Sequence, residues 1–178
     1  MTSKIKVNIL ADGGDNAIIT SDGAGSFTAS SGLASSVQSV GGIQNTPAFR
    51  ARLSSNQSVS ASTWTVLSCA TEDFDIGGYY DNSTYKWTPP SGSKFYIHFQ
   101  VRNNTGQDYM YCAIYKNGTT EIAMAQAAIN SAGILSSGTI IEPNGTDYYQ
   151  LYVNPGASSL IAAGPGFTFF EGFKLIGV

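Results

Sequence analysis

The stretch Phe95-Tyr96-Ile97-His98-Phe99-Gln100-Val101-Arg102 decides the fold class. Side chains of an extended chain alternate between two faces. Phe95, Ile97, Phe99 and Val101 therefore share one face, and Tyr96, His98, Gln100 and Arg102 share the other. A helix would scatter the same four apolar residues around its axis, so the run is a strand. Trp64 to Cys69 (WTVLSC) alternates with roughly the same period. Tyr109 to Lys116 (YMYCAIYK) ends on Asn117-Gly118, two residues that tolerate positive φ and favour a tight hairpin. Tyr148 to Val153 and Phe167 to Ile176 complete the series. In the last run Phe169, Phe173 and Leu175 share one face and Phe170 takes the other. This closing strand is expected to pack on both sides, with Phe173 in the core.

Glu121 to Ile129 (EIAMAQAAI) has a composition that suits a helix. It lies among strands, between a turn signal and Asn130-Ser131-Ala132-Gly133, and is read as a strand for that reason. Strands at this spacing, separated by Gly, Asn and Pro turns, predict an all-β sandwich or barrel.

The 178 residues suffice for one sizeable core and a short appendage. Charged residues make up 12% of the chain, about half of the roughly 25% usual for soluble domains. Its surface is thus built from Ser, Thr, Asn and Gly, or covered by a partner. A net charge of -3 offers no attraction for phosphate backbones, so no nucleic-acid partner is expected. The N-terminus lacks the apolar core of a secretory signal, and no stretch approaches the length of a membrane-spanning helix. Membrane insertion is not expected, and the protein is expected either to stay in the cell that makes it or to leave by another route, such as packaging into a particle. Cys69 and Cys112 sit singly in apolar runs without C-x-x-C spacing. Buried reduced thiols are expected there, with pairing as the alternative.

The first 45 or so residues differ in character. Asn8 to Gly13 (NILADG) and Ile18 to Gly23 (IITSDG) are two short β-runs, each closed by Asp-Gly. Such an array buries little apolar surface by itself and needs a partner. Ser30 to Gly42 is rich in Ser and Gly and reads as a linker. The division is residues 1–29 as an anchoring arm, 30–44 as linker and 45–178 as head. Ile9, Leu10, Ile18, Ile19 and Phe27 are the arm's candidate docking residues.

From Thr46 onward a set of motifs keeps its order over most of the chain. Pro47-Ala48-Phe49-Arg50-Ala51 comes first, then Phe74, Tyr79-Tyr80-Asp81 and Tyr85-Lys86-Trp87-Thr88-Pro89-Pro90-Ser91-Gly92. The strand around Tyr96 to Val101, Ala113-Ile114-Tyr115-Lys116-Asn117-Gly118 and the closing Thr168 to Leu175 follow. This series resembles the globular head of the C1q family, a jelly roll shared with tumour necrosis factor, with Trp87 where phenylalanine is usual. The resemblance implies a homotrimer with an apolar face of each protomer along the three-fold axis. The arm's Ile18-Ile19-Thr20-Ser21-Asp22-Gly23 resembles short anchor segments of tailed-bacteriophage structural proteins, which implies a virion protein.

Candidate sites follow from residue chemistry. His98 is the single histidine. In an alternating strand it is read as a hydrogen-bonded or interface residue rather than a catalytic base, and three copies at a trimer axis would form a ring. Glu72, Asp73 and Asp75 are the densest acidic cluster, either a calcium site or a solvated loop. Tyr79, Tyr80 and Tyr85 cluster near turn residues and are candidates to stack on sugar rings or a partner, or to join the core or trimer contact.

The expected protein is an all-β jelly-roll sandwich of C1q/TNF type with a short N-terminal β-arm, assembled as a homotrimer. Its expected function is non-enzymatic. It would be assembled in the host cytoplasm and act on the virion surface as a capsid decoration or short head fibre held by other virion proteins. The alternative is a tail-fibre adhesin that recognises a host glycan or protein. A glycan depolymerase needs paired carboxylates on a rigid face, whereas the acids here are few and are expected in loops.

Overall fold

A computed structural model of the chain describes residues 8–21, 23, 24, 26–30, 45–105, 107–129 and 131–176. The chain divides into two compact units, Met1–Gln44 and Asn45–Val178. Apart from Ser30, the Ser/Gly linker of residues 30–44 lies outside the described residues.

In the first unit β1 (Ile9–Ala11), β2 (Ala17–Ser21) and β3 (Phe27–Ala29) form an antiparallel sheet in that order. The Asp12 carboxylate makes the first turn, accepting the backbone N–H groups of Gly14 at 2.8 Å and Asn16 at 3.0 Å. Asp and Asn favour such turns because a short side chain can replace a backbone acceptor. Three short strands bury little. Ile9 and Leu10 stay about half exposed.

The second unit is a sandwich. Its strands are β4 (Ala48–Arg52), β5 (Gln57–Val59), β6 (Thr65–Val66), β7 (Thr71–Ile76), β8 (Tyr80–Asp81), β9 (Lys86–Trp87) and β10 (Phe95–Asn103). They continue with β11 (Gln107–Lys116), β12 (Thr120–Ile129), β13 (Gly133–Ile141), β14 (Tyr149–Pro155), β15 (Ser159–Ile161) and β16 (Phe169–Lys174). One sheet runs β13-β10-β16-β4-β7, with β15 and then β5 beside the far end of β10. The other runs β12-β11-β14, with β9, β8 and the short β6 on the far side of β14. Strands distant in sequence are neighbours in both sheets, which makes this a jelly roll. No helix occurs among the described residues.

The alternation read in β10 is borne out: Phe95, Ile97, Phe99 and Val101 are fully buried. Glu121 to Ile129 lies within β12, as a strand. Its Ala123, Ala125 and Ala127 pack against the core, so small side chains at alternate positions mark a close-packed edge. The hairpin from β11 to β12 turns at Asn117 and Gly118, both with positive φ.

An aromatic cluster fills one end of the core. Phe49 stacks on Tyr80 at 4.9 Å, tilts toward Trp87 at 4.7 Å and meets Phe170 edge-on at 5.0 Å. The closing strand departs from expectation. Phe170 and Gly172 face this cluster, whereas Phe173 is 36% exposed on the outer side. A Cβ on Gly172 would stand 2.9 Å from the Trp87 ring, so no side chain fits there. The Phe49 ring closes the same space from the other side, 3.1 Å from that position.

Cys69 and Cys112 are free and buried, as the reduced-thiol reading expects. Burial pushes the Cys69 thiol up to about 12 and raises that of Cys112 as well.

Candidate functional site

The head has two outer sheet faces, and their side chains fall into rows of distinct character. On the β13-β10-β16-β4-β7 sheet, cross-strand pairing aligns Ile140, Tyr96, Phe173, Ala48 and Ile76 in one row. Ile140 is 60% exposed, Ile76 52% and Phe173 36%, whereas Tyr96 is half-buried and Ala48 buried, so the row is an apolar stripe exposed mainly toward its ends. The next row aligns His98, Glu171, Arg50 and Phe74.

This second row is a polar chain. His98 Nδ1 lies 3.1 Å from Glu171 Oε1, and His98 Nε2 lies 2.7 Å from Ser136 Oγ. Arg50 Nη1 donates to Glu171 Oε2 at 3.2 Å, and its Nε stands 3.4 Å from Asp73 Oδ2. Arg52 Nε donates to Asp73 Oδ1 at 2.7 Å. The Arg50 guanidinium also covers the Phe169 ring at 3.9 Å, which buries an outward-facing aromatic. Partly exposed pairs of this kind contribute about 0.2–1 kcal/mol each. Their main effect is to hold neighbouring side chains in one arrangement.

Ser136, His98 and Glu171 touch in the order of a hydrolase triad. Among the described residues their setting differs from that of such a site. The three stand on adjacent strands of an open sheet face, and Glu171 is shared with Arg50. The backbones of β10 and β16 are hydrogen-bonded to strands on both sides. Their amides therefore do not converge on a carbonyl as oxyanion donors would.

Several expected site residues are placed differently. Glu72, Asp73 and Asp75 lie in strand β7, not in a loop. Asp73 is taken by two arginines, and Asp75 accepts the N–H groups of Tyr79 at 3.3 Å and Tyr80 at 3.0 Å. No three His, Cys, Asp or Glu side chains among the described residues converge as a metal site, so the calcium cluster is not assembled. Tyr80 is a core residue. Its hydroxyl donates to the Cys69 carbonyl at 2.8 Å, and burial, more than the nearby Cys69 and carboxylates, raises its pKa. Tyr79 is 36% exposed, and Tyr85 is half-buried in the turn before β9 with φ of 60°. The three tyrosines thus form no shared platform. In the arm, Leu10 pairs with Ile19, Ile9 with Thr20 and Phe27 with Ser21, and Ile18 is half-buried.

The other outer face, on the β12-β11-β14 sheet, carries what the sequence reading did not single out. Met110, Cys112 and Ile114 point into the core, so Tyr109, Tyr111, Ala113 and Tyr115 point out. Trp64 lies against this face, 6.3 Å from the Tyr111 ring and 5.3 Å from that of Tyr115. Tyr109 meets Tyr111 at 5.2 Å, and Tyr115 meets Tyr152 at 4.8 Å. Five rings form one continuous strip, and Ala113 beneath them is fully buried. The signal was present in YMYCAIYK, whose tyrosines at 109, 111 and 115 share one parity. Trp64 joins them only through the sheet.

No protein-family model matches this chain, and no curated protein matches its sequence. Solved structures do match its fold. Murine APRIL at pH 8.0 superposes with a TM-score of 0.61 at 12% identity, over 72% of this chain and 98% of that one. The Eiger TNF of S. frugiperda gives 0.59 at 9% identity, over 74% and 93%. The globular domain of zebrafish complement 1qA gives 0.53 at 15% identity, over 73% and 97%. The chain therefore carries an all-β jelly roll of the C1q/TNF type.

Proposed function

We propose that the chain is a non-enzymatic, homotrimeric protein of the exterior of a phage virion. The head associates with two further copies, and residues 1–29 hold the assembly to other virion proteins. The carrying observation is the exposed apolar stripe of Ile140, Tyr96, Phe173 and Ile76 across one sheet face. Exposed apolar area of this kind is covered in stable proteins, and a polar chain alongside it supplies register. Ile140 also lines a cleft of about 360 Å³ with Lys94, Ile141, Glu142 and Leu175, a recess for a neighbour's side chains at the end of the stripe. The C1q/TNF-type fold supports self-association, and the arm's likeness to phage anchor segments supports the virion setting.

Size-exclusion chromatography with light scattering tests the assembly. A mass of about three times 18.7 kDa is expected, and a monomer at micromolar concentration overturns the reading. Virion location is tested by an electron cryo-microscopy map of the particle, in which this chain should occupy exterior density. The contact order of Ser136, His98 and Glu171 favours one rival, a serine hydrolase. A fluorophosphonate probe decides between them: labelling lost in Ser136→Ala establishes the hydrolase, and no labelling is expected here.

A further inference from the structure

From the aromatic strip on the β12-β11-β14 face we infer a binding site for an uncharged glycan. This inference goes beyond the proposed function, because it concerns the sheet opposite the stripe through which the copies associate. It does not depend on the virion setting.

Sugar rings present apolar C–H faces and hydroxyl-bearing edges. A matching surface needs flat rings for the faces and neutral hydrogen-bonding groups for the edges. Trp64, Tyr109, Tyr111, Tyr115 and Tyr152 supply the rings in one unbroken row, and Trp64 is 37% exposed although it belongs to no apolar core. The edges are amides and hydroxyls. The Gln126 amide donates to the Tyr111 hydroxyl at 3.2 Å, and the Tyr109 hydroxyl stands 3.4 Å from Ser62 Oγ. Asn154, paired with Tyr111 across the strands, holds its side-chain oxygen buried with no donor.

Charge selects the class of glycan. The lysines near the strip stand at its border and are occupied: Lys116 pairs with Asp147 at 2.8 Å, and Lys86 lies over the Tyr148 ring at 4.2 Å. Glu121, opposite Tyr115, places a negative charge beside the rings and repels anionic sugars. No cation is free beside the rings to meet a carboxylate or sulfate, among the described residues. The rings are also already ordered by one another and by their strands, so binding immobilises little further.

The test uses the full-length protein on an array of neutral and acidic oligosaccharides, followed by titration of the best ligand with tryptophan fluorescence as the readout. Trp64 reports on the strip, because the second tryptophan, Trp87, is fully buried in the core. Neutral glycans are expected to bind and shift the emission. Trp64→Ala and, as an independent variant at the end of the row, Tyr109→Ala are each expected to weaken binding about tenfold. Tyr79→Ala, outside the strip, should leave binding unchanged. Binding confined to acidic glycans, binding unaffected by both strip variants, or no binding across the array overturns the inference. Trp64→Ala should still assemble and mount on particles, so loss of glycan binding and loss of the virion role read out separately.

Discussion

Phe170 and Phe173 differ by three positions and by a whole environment. Phe170 lies in the aromatic cluster with Phe49, whereas Phe173 stands on the outer stripe. Phe170→Ala should therefore lower stability by about 3–5 kcal/mol, and Phe173→Ala by far less in the isolated head, as urea unfolding will measure. Gly172→Ala should destabilise by about 1–3 kcal/mol, because its methyl group meets the Trp87 ring. Asp147 offers a test by pH. Hydrogen bonds from Lys116 and Asn117 hold its carboxyl below the ordinary 3.8. A carboxyl with a lowered folded value contributes stability in full above its ordinary value and loses it as pH falls through the lowered one. Asp147→Asn should thus lower the melting temperature near neutral pH and flatten its fall in acid. A titration of melting temperature against pH for both proteins checks this.

Single elements show how far period-two reading reaches. In β10 the pattern is strict and the four apolar inward residues were legible as such, whereas the fully buried Asn103 at the strand's end was not. In β16 it misleads, since Phe169, Phe170 and Phe173 are all aromatic and hydrophobicity alone does not say which side is core. The Arg50 guanidinium over Phe169 and the indole against Gly172 settle the facing, and both come from strands distant in sequence. In the proposed assembly the outward side of β10, β13 and β16 is the contact surface. Ile140→Glu combined with Phe173→Glu should yield a folded monomer. Light scattering gives the mass, and circular dichroism should keep the β spectrum. A trimer that survives both changes places the contact elsewhere.

At the scale of the whole molecule, the division at residue 44 suggests separable roles. A chain starting at Gln44 keeps the complete head and should fold and trimerise, yet fail to bind particles that lack the protein. Binding by this truncated head at full-length affinity would move the docking surface onto the jelly roll. The buried thiols report on the integrity of either form, because Cys69 and Cys112 should resist thiol reagents until the head unfolds.

Fold class, the β10 facing, the Asn117-Gly118 hairpin and the buried thiols were determined by the sequence alone. Each rests on a local rule: alternation, turn chemistry, or an apolar residue among apolar neighbours. The tertiary structure alone decided the partners. It engaged Asp73 and Asp75 in different contacts, buried Tyr80, joined Ser136, His98 and Glu171, and laid Trp64 across the tyrosines of β11. These pairs form between residues remote in the chain, and a jelly roll brings together strands that are not consecutive. Which side chains meet is then set by strand order and register, neither of which a local pattern encodes.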